Sequence, residues 1–270
     1  MLTDQQYLNR KYQLKEINHK YGKNVHILHD PYLFTILAKL CRTDCEQPIV
    51  NTLLNTLYHE LVKEVVNAEF PQMETILETR MHALHPEARF KISVVDPNIK
   101  VVCVSLARAG IVPSHICFNA FNHILAPSGV RQDHISINRK VDENEKVVGT
   151  NLGGLKIGGH VNDRVVVIPD PMGATGSTIQ TAMEIYHSHG NALKYIAMHF
   201  IVTPEYLSLV TKKFPDLIIY AIRLDRGLSP TDVLATMPGT HWDLEKGLNK
   251  KQYIVPGAGG LGEVINNSWV

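Results

Sequence analysis

The sequence predicts an α/β fold built on a doubly wound parallel sheet. Three observations carry this. Apolar runs at 100–107, 165–168, 193–202 and 217–224 have the length and composition of strands buried on both faces. From Arg164 onward such runs alternate with helical segments in the order strand, helix, strand, helix, strand. The run at 165–168 ends in an acid followed by a glycine-rich loop, and open α/β sheets bind ligands at the carboxyl ends of strands.

Composition narrows the classes. The chain has 270 residues, 44% hydrophobic and 20% charged, enough for one large domain with its own core. A net charge of +1 calls for neither a nucleic-acid nor a membrane partner. No apolar run reaches transmembrane length, and residues 1–15 are too polar for a secretory signal. Four cysteines make no disulfide framework. Cys103 sits in an apolar run and reads as a reduced core residue, and Cys41 and Cys45 lack the second pair a zinc finger needs. A cytoplasmic location is expected.

Taken in order, residues 1–23 read as a loosely held arm with some helix. Residues 24–30 alternate and form a short strand or an extended lead-in. Pro31 suits the first turn of a helix, with Leu33, Ile36, Leu37 and Leu40 at helical spacing. Val50, Leu53, Leu54, Leu57, Leu61 and Val65 mark a second helix, and both pack on the sheet. His26, His29 and His59 in this region have the roles of core or surface histidines. The strand at 100–107 runs into Arg108-Ala109-Gly110 and a helix at about 113–125. Residues 134–139 alternate as a strand, and the polar, glycine-rich stretch 140–163 reads as a mobile hairpin or lid. Thr203-Pro204-Glu205 has the N-cap, proline and acid of a helix start. Residues 253–259 read as a short apolar strand breaking into a glycine loop.

The stretch 165–178, VVVIPDPMGATGST, carries the chemistry. Strand, loop and helix N-terminus together aim backbone N–H groups and a helix dipole at one place, which suits an anion. Gly173 and Gly176 allow close approach, and Thr175, Ser177 and Thr178 add hydroxyls. Asp170 at the strand end can hold a sugar diol or hydrated Mg²⁺ beside a phosphate. A capped helix with no ligand is the plainer alternative. Neither the GxxxxGK[ST] phosphate loop nor the GxGxxG dinucleotide fingerprint is present.

This stretch resembles the phosphoribosyl pyrophosphate (PRPP) loop of type I phosphoribosyltransferases, in the Asp-Pro-Met version of uracil phosphoribosyltransferases. The resemblance runs from about Tyr21 to the C-terminus and is dense at 165–178 and 252–259. It implies that fold, with a flexible hairpin and a C-terminal base-recognition hood, over residues 24–270. It places Asp170 along the ribose, Ala174, Thr175, Gly176, Ser177 and Thr178 around the 5′-phosphate, and Met172 and Gly173 among the other PRPP-binding residues. Arg108 and Arg139 match pyrophosphate contacts. Tyr253, Ile254, Val255, Pro256, Gly257, Ala258 and Gly259 match the uracil-recognition segment. The implied reaction joins uracil to PRPP, giving UMP and pyrophosphate in pyrimidine salvage. Its Mg²⁺ is held mainly through PRPP with no direct protein ligand assigned, and the resemblance implies a homodimer or larger homo-oligomer.

Three departures stand out. Gly173 replaces the family's leucine and is expected to loosen the loop. Gly260 replaces the aspartate that follows the second glycine, with Glu263 in reach as a partial substitute for a second acid. Residues 229–250 are expected as an insertion beside the base pocket or at a subunit contact. Gly260 keeps open a second reading, an inactive homologue acting as a pyrimidine-nucleotide-binding regulator. The insertion keeps open a third, a transferase for another base.

Overall fold

The computed structural model of the chain describes residue 8 and residues 11–141 and 147–269, without the side chains of 138–151. The described arm residues run extended rather than helical: Ile17 and His29 donate main-chain bonds to Ile27 O and Lys15 O, lying antiparallel to the first strand. Strand β1 (Val25–Ile27) leads to helices α1 (Pro31–Leu40) and α2 (Ile49–Glu69). The Asp30 carboxylate caps α1 by accepting from Tyr32 and Leu33 N–H, with Pro31 in the first turn. Strands β2 (Gln72–Glu78) and β3 (Arg89–Val95) then form a separate antiparallel pair, for which the sequence carried no expectation.

The central sheet follows. It comprises β4 (Lys100–Ala107), α3 (Ile111–Ile124), β5 (Val130–Val141), β6 (Val147–Lys156), β7 (Arg164–Pro169), a two-residue β8 (Met172–Gly173), α4 (Ser177–Ser188), β9 (Lys194–Val202), α5 (Pro204–Lys213) and β10 (Leu217–Leu224). The strand order is β1-β10-β9-β7-β4-β5-β6, parallel throughout except for the β5–β6 hairpin, with β8 on β9. The hairpin expected within 140–163 is β6 pairing back on β5, so its first arm is the strand expected at 134–139; residues 142–146 lie outside the described residues. Short helices α6 (Thr231–Leu234) and α7 (Leu261–Asn266) complete the chain.

Alternate residues of the central strands feed two cores, as a sheet covered on both faces requires. Val101, Cys103, Val165 and Val167 pack under α1, α2 and α3. Val102, Val104, Val166 and Ile168 pack under α4 and α5, where Ile179, Ala182, Met183 and Tyr186 form the expected buried face of α4. Gly190 stops that helix with φ of +124°, a conformation that only glycine adopts without strain. Phe121 of α3 is fully buried and stacks on Phe70, ring centroids 5.6 Å apart. Phe121→Ala removes both burial and stacking, so an equilibrium urea titration is expected to show a loss of about 4 kcal/mol.

Candidate active site

Chain leaves β4 and β7 in opposite directions. α3 carries it from β4 to β5 on one side, and α4 carries it from β7 to β9 on the other. The crevice between the two strand ends is where such a sheet receives ligands. A cavity of about 550 Å³ lies there. Arg108 and Ala109 line it from the loop after β4, Asp170, Met172 and Ala174 from the loop after β7, and Thr178 from the first turn of α4. Residues 252–254 and 259–263 roof it.

The phosphate-type loop is pinned from beneath. Gly176, at φ +87°, starts α4, and the first N–H groups of that helix have no partner within it. Thr203, the cap of α5, donates its N–H to Gly173 O at 3.1 Å and its hydroxyl to Ala174 O at 2.7 Å. The expected loosening at Gly173 is not what the packing shows. A Cβ there would lie 2.9 Å from Val202 Cγ1 and 3.2 Å from the Tyr206 ring, so neighbouring side chains fill the space a larger residue would use.

Asp170 is held through its own main chain. Its N–H donates to Met198 O at 3.1 Å, and the His199 imidazole donates from Nδ1 to its carbonyl. A carbonyl only accepts, so Nδ1 carries the proton and Nε2 accepts from the Tyr206 hydroxyl at 2.6 Å. His199 and Tyr206 are fully buried. Burial pushes the histidine pKa down to about 4, against the pull of the Asp170 carbonyl. Burial and the charge of Asp170 hold the Tyr206 hydroxyl well above its ordinary value.

The roof is braced by a pair the sequence reading passed over. Arg223 donates to both oxygens of Asp225, at 2.6 and 2.8 Å. Asp225, 2% exposed, accepts the Gly257 N–H at 2.7 Å, and Arg223 donates to Gly257 O at 3.1 Å. Val255 is tied on both sides, donating to Gly247 O and accepting from Gly227 N–H. Tyr253, Ile254 and Gly259 reach the cavity, whereas Val255, Pro256, Gly257 and Ala258 do not line it and form its support. The expected strand at 253–255 is reduced to one antiparallel bridge, Leu248 to Ile254, because Pro256 has no N–H to continue a ladder.

Arg108 does reach the cavity. Its Nη1 donates to Ser268 O and Oγ, and its Nη2 lies 3.5 Å from Glu263 Oε1. Ser268 had no motif to announce it. Arg139 lies on β5 opposite Thr150, and its side chain is outside the described residues. Gly173, Thr175, Gly176 and Ser177 belong to the loop without lining the cavity. Residues 229–250 pack on α5 and the arm: Trp242 donates to Pro204 O, and buried Glu245 accepts from Tyr21 and Arg226. Among the described residues, no group of three or more His, Cys, Asp or Glu side chains could hold a metal, and no helix is long and apolar enough to cross a membrane.

A pH dependence follows from His199. An unfolded chain titrates this residue near 6.5 and the fold near 4. Between those values the unfolded state binds more protons, so stability rises with pH across that window and is lost as pH falls through it. The full span is on the order of 3 kcal/mol. In urea titrations from pH 7 to 4.5, His199→Asn, whose amide can still donate to the Asp170 carbonyl, is expected to lose less stability on acidification than the unaltered chain.

Comparison with known proteins gives consistent results. The sequence profile described as uracil phosphoribosyltransferase matches residues 27–241, ending before Tyr253. A uracil phosphoribosyltransferase of Thermococcus sibiricus is 26% identical over 236 residues, 86% of this chain and 85% of its own length. One from Variovorax paradoxus is 26% identical over 243 residues, covering 90% and 97%. A solved protein from Aquifex aeolicus superposes with a TM-score of 0.68 over 89% of this chain and 97% of its own; at 21% identity this likeness concerns the fold.

Proposed function

This chain belongs to the uracil phosphoribosyltransferase family, and from that premise we propose that it joins uracil to PRPP, giving UMP and pyrophosphate. The observation that carries the proposal is convergence. Arg108, Asp170, the first turn of α4 and the roof at 252–263 meet in one cavity at the switch point of the sheet.

In this reading the bond from the anomeric carbon to pyrophosphate breaks, and its electron pair leaves with the pyrophosphate. A bond to a ring nitrogen of uracil forms, and the nitrogen's proton passes to water. The loop N–H groups and the α4 dipole hold the 5′-phosphate. Asp170 accepts from the ribose hydroxyls and favours positive charge at the anomeric carbon. Its main chain is locked by Met198 and His199, which fixes the point from which the carboxylate reaches the sugar. Arg108, with Arg139 as a further contact, neutralises the leaving pyrophosphate through the fork of its guanidinium. The main chain around Tyr253, Ile254 and Gly259 reads the flat edge of the base.

Asp170 and Glu263 both line the cavity, an oxygen donor set suited to Mg²⁺ that arrives on substrate oxygens. When bound, Mg²⁺ supplies further neutralisation of the pyrophosphate charge. The regulator reading is not favoured, because a carboxylate from Glu263 enters the pocket although position 260 has none.

The proposal treats 24–270 as the catalytic unit, with 229–250 as an insertion. It extends to a cytoplasmic homodimer or larger homo-oligomer that engages neither nucleic acid nor membrane. The β2–β3 pair supports self-association: it leaves Ile76 and Leu77 exposed, and a lone two-stranded sheet gains little stability in water.

With Mg²⁺ and PRPP, UMP formation is expected with uracil and not with orotate or purine bases. Asp170→Asn is expected to lower kcat by at least about 100-fold, in the range for a group that stabilises developing charge, with unchanged near-UV circular dichroism. Normal turnover by that variant would remove Asp170 from the mechanism. Turnover with a different base would instead bring the 229–250 segment into the specificity argument.

A further inference from the structure

Gly260 and Glu263 sit at the start of α7 and compete for one volume. A Cβ on Gly260 would lie 2.4 Å from Glu263 Oε2 and 3.1 Å from its carboxyl carbon. A side chain at 260 and the carboxylate in its present place therefore exclude each other. The backbone of Gly260, at φ −78° and ψ 72°, needs no glycine. What glycine provides here is space, and Glu263 fills it.

From that space the carboxylate faces Arg108. Nη2 is 3.5 Å from Glu263 Oε1, and Nη1 has Ser268 O and Oγ at 3.1 Å each. The acceptors stand on a fixed frame. Ser268 N–H donates to Glu263 O, Gln47 donates to Ile265 O at 2.8 Å, and Leu261 and Ile265 are buried. One carboxylate oxygen and two neutral oxygens around a guanidinium make the kind of oxygen-rich environment a bound diphosphate would also provide.

Building on the function proposed above, we infer that Glu263 is a positioning residue for the diphosphate half of the substrate, admitted to the cavity by Gly260. With Ser268 it keeps the Arg108 guanidinium turned inward, and an arriving diphosphate takes that guanidinium over. The exchange is easy because the pair is weak: its separation is long, and the two side chains are 38% and 28% exposed. A diphosphate brings more charge and two-point geometry to the same fork. Where the diphosphate carries no metal, the Glu263 carboxylate then lies beside a bare polyanion and opposes it. The 5′-phosphate loop stands on the other wall, so a ligand with one phosphate is indifferent to Glu263.

The test is calorimetric titration of inorganic pyrophosphate, PRPP and UMP into the full chain, in metal-free buffer without uracil. The proteins are the unaltered chain, E263Q, G260D and G260D/E263Q. E263Q is expected to bind pyrophosphate and PRPP about fivefold more tightly, the scale of one partly exposed charge contact, and UMP equally well. G260D displaces the Glu263 carboxylate from the shared volume but leaves two carboxylates near Arg108, and is expected to weaken pyrophosphate about fivefold. The double variant again carries one carboxylate there and is expected within about twofold of the unaltered chain. Unchanged pyrophosphate affinity in E263Q, or an equal shift for UMP, overturns the inference and leaves the proposed function standing. If the unaltered chain binds UMP but neither diphosphate ligand, the inference fails; if it also forms no UMP from uracil and PRPP with Mg²⁺, the proposed function fails with it.

Discussion

The parallel pairing of β4 with β7 is the constraint on which the site depends. Their register, Val101 to Val165 through Cys103 to Val167, sets the two strands side by side. Neighbouring strands lie about 4.8 Å apart, so two following connections that turn the same way, as those after β7 and β9 do, leave no crevice between them. Here one turns toward β5 and the other toward β9, and the space between becomes the cavity. One strand end then contributes a guanidinium and the other a carboxylate, at opposite sides of the same opening. The pairing itself is held by burial on both faces. Val102 and Val166 pack toward one helical layer while Val101 and Val165 pack toward the other.

This logic explains which parts of the molecule were legible in the sequence. Strands buried on both faces must be apolar without interruption, so β4, β7, β9 and β10 announced themselves within a residue or two. Capped helix starts were equally plain, because Pro31 and Thr203-Pro204-Glu205 are local chemistry. β2 and β3 left no such mark. Residues such as Met73, Ile76 and Leu77 are exposed there, so no alternation between buried and polar faces is imposed on the sequence.

Within the site, local motifs were readable and long-range partners were not. Asp170, Arg108 and the Gly/Thr/Ser loop stand next to strand ends, where position alone suggests a role. His199 and Tyr206 sit in the middle of an apolar strand and on a helix face, and only the fold brings them under Asp170. The Arg223–Asp225 pair is two residues apart, yet its purpose, bracing Gly257, joins positions 32 and 34 residues away. Gly173 shows the same limit: its missing side chain suggested slack, while Tyr206 and Val202 already fill the place.

The roof raises a different physical question, since little of it is regular structure. α7 has six residues, far too few to persist alone. Leu261 and Ile265 bury it against the core, but apolar contact is non-directional and leaves rotation poorly determined. Directional polar contacts remove that freedom. Gln47 binds the main-chain oxygens at its end, Arg108 binds Ser268, and Asp225 binds Gly257 in the preceding loop. Two of these three anchors are charged groups, and one of them, Arg108, also faces the ligand cavity. Binding an anion at Arg108 therefore acts on the same group that orients the roof. The geometry of the roof and the electrostatics of the wall after β4 are coupled through that one side chain.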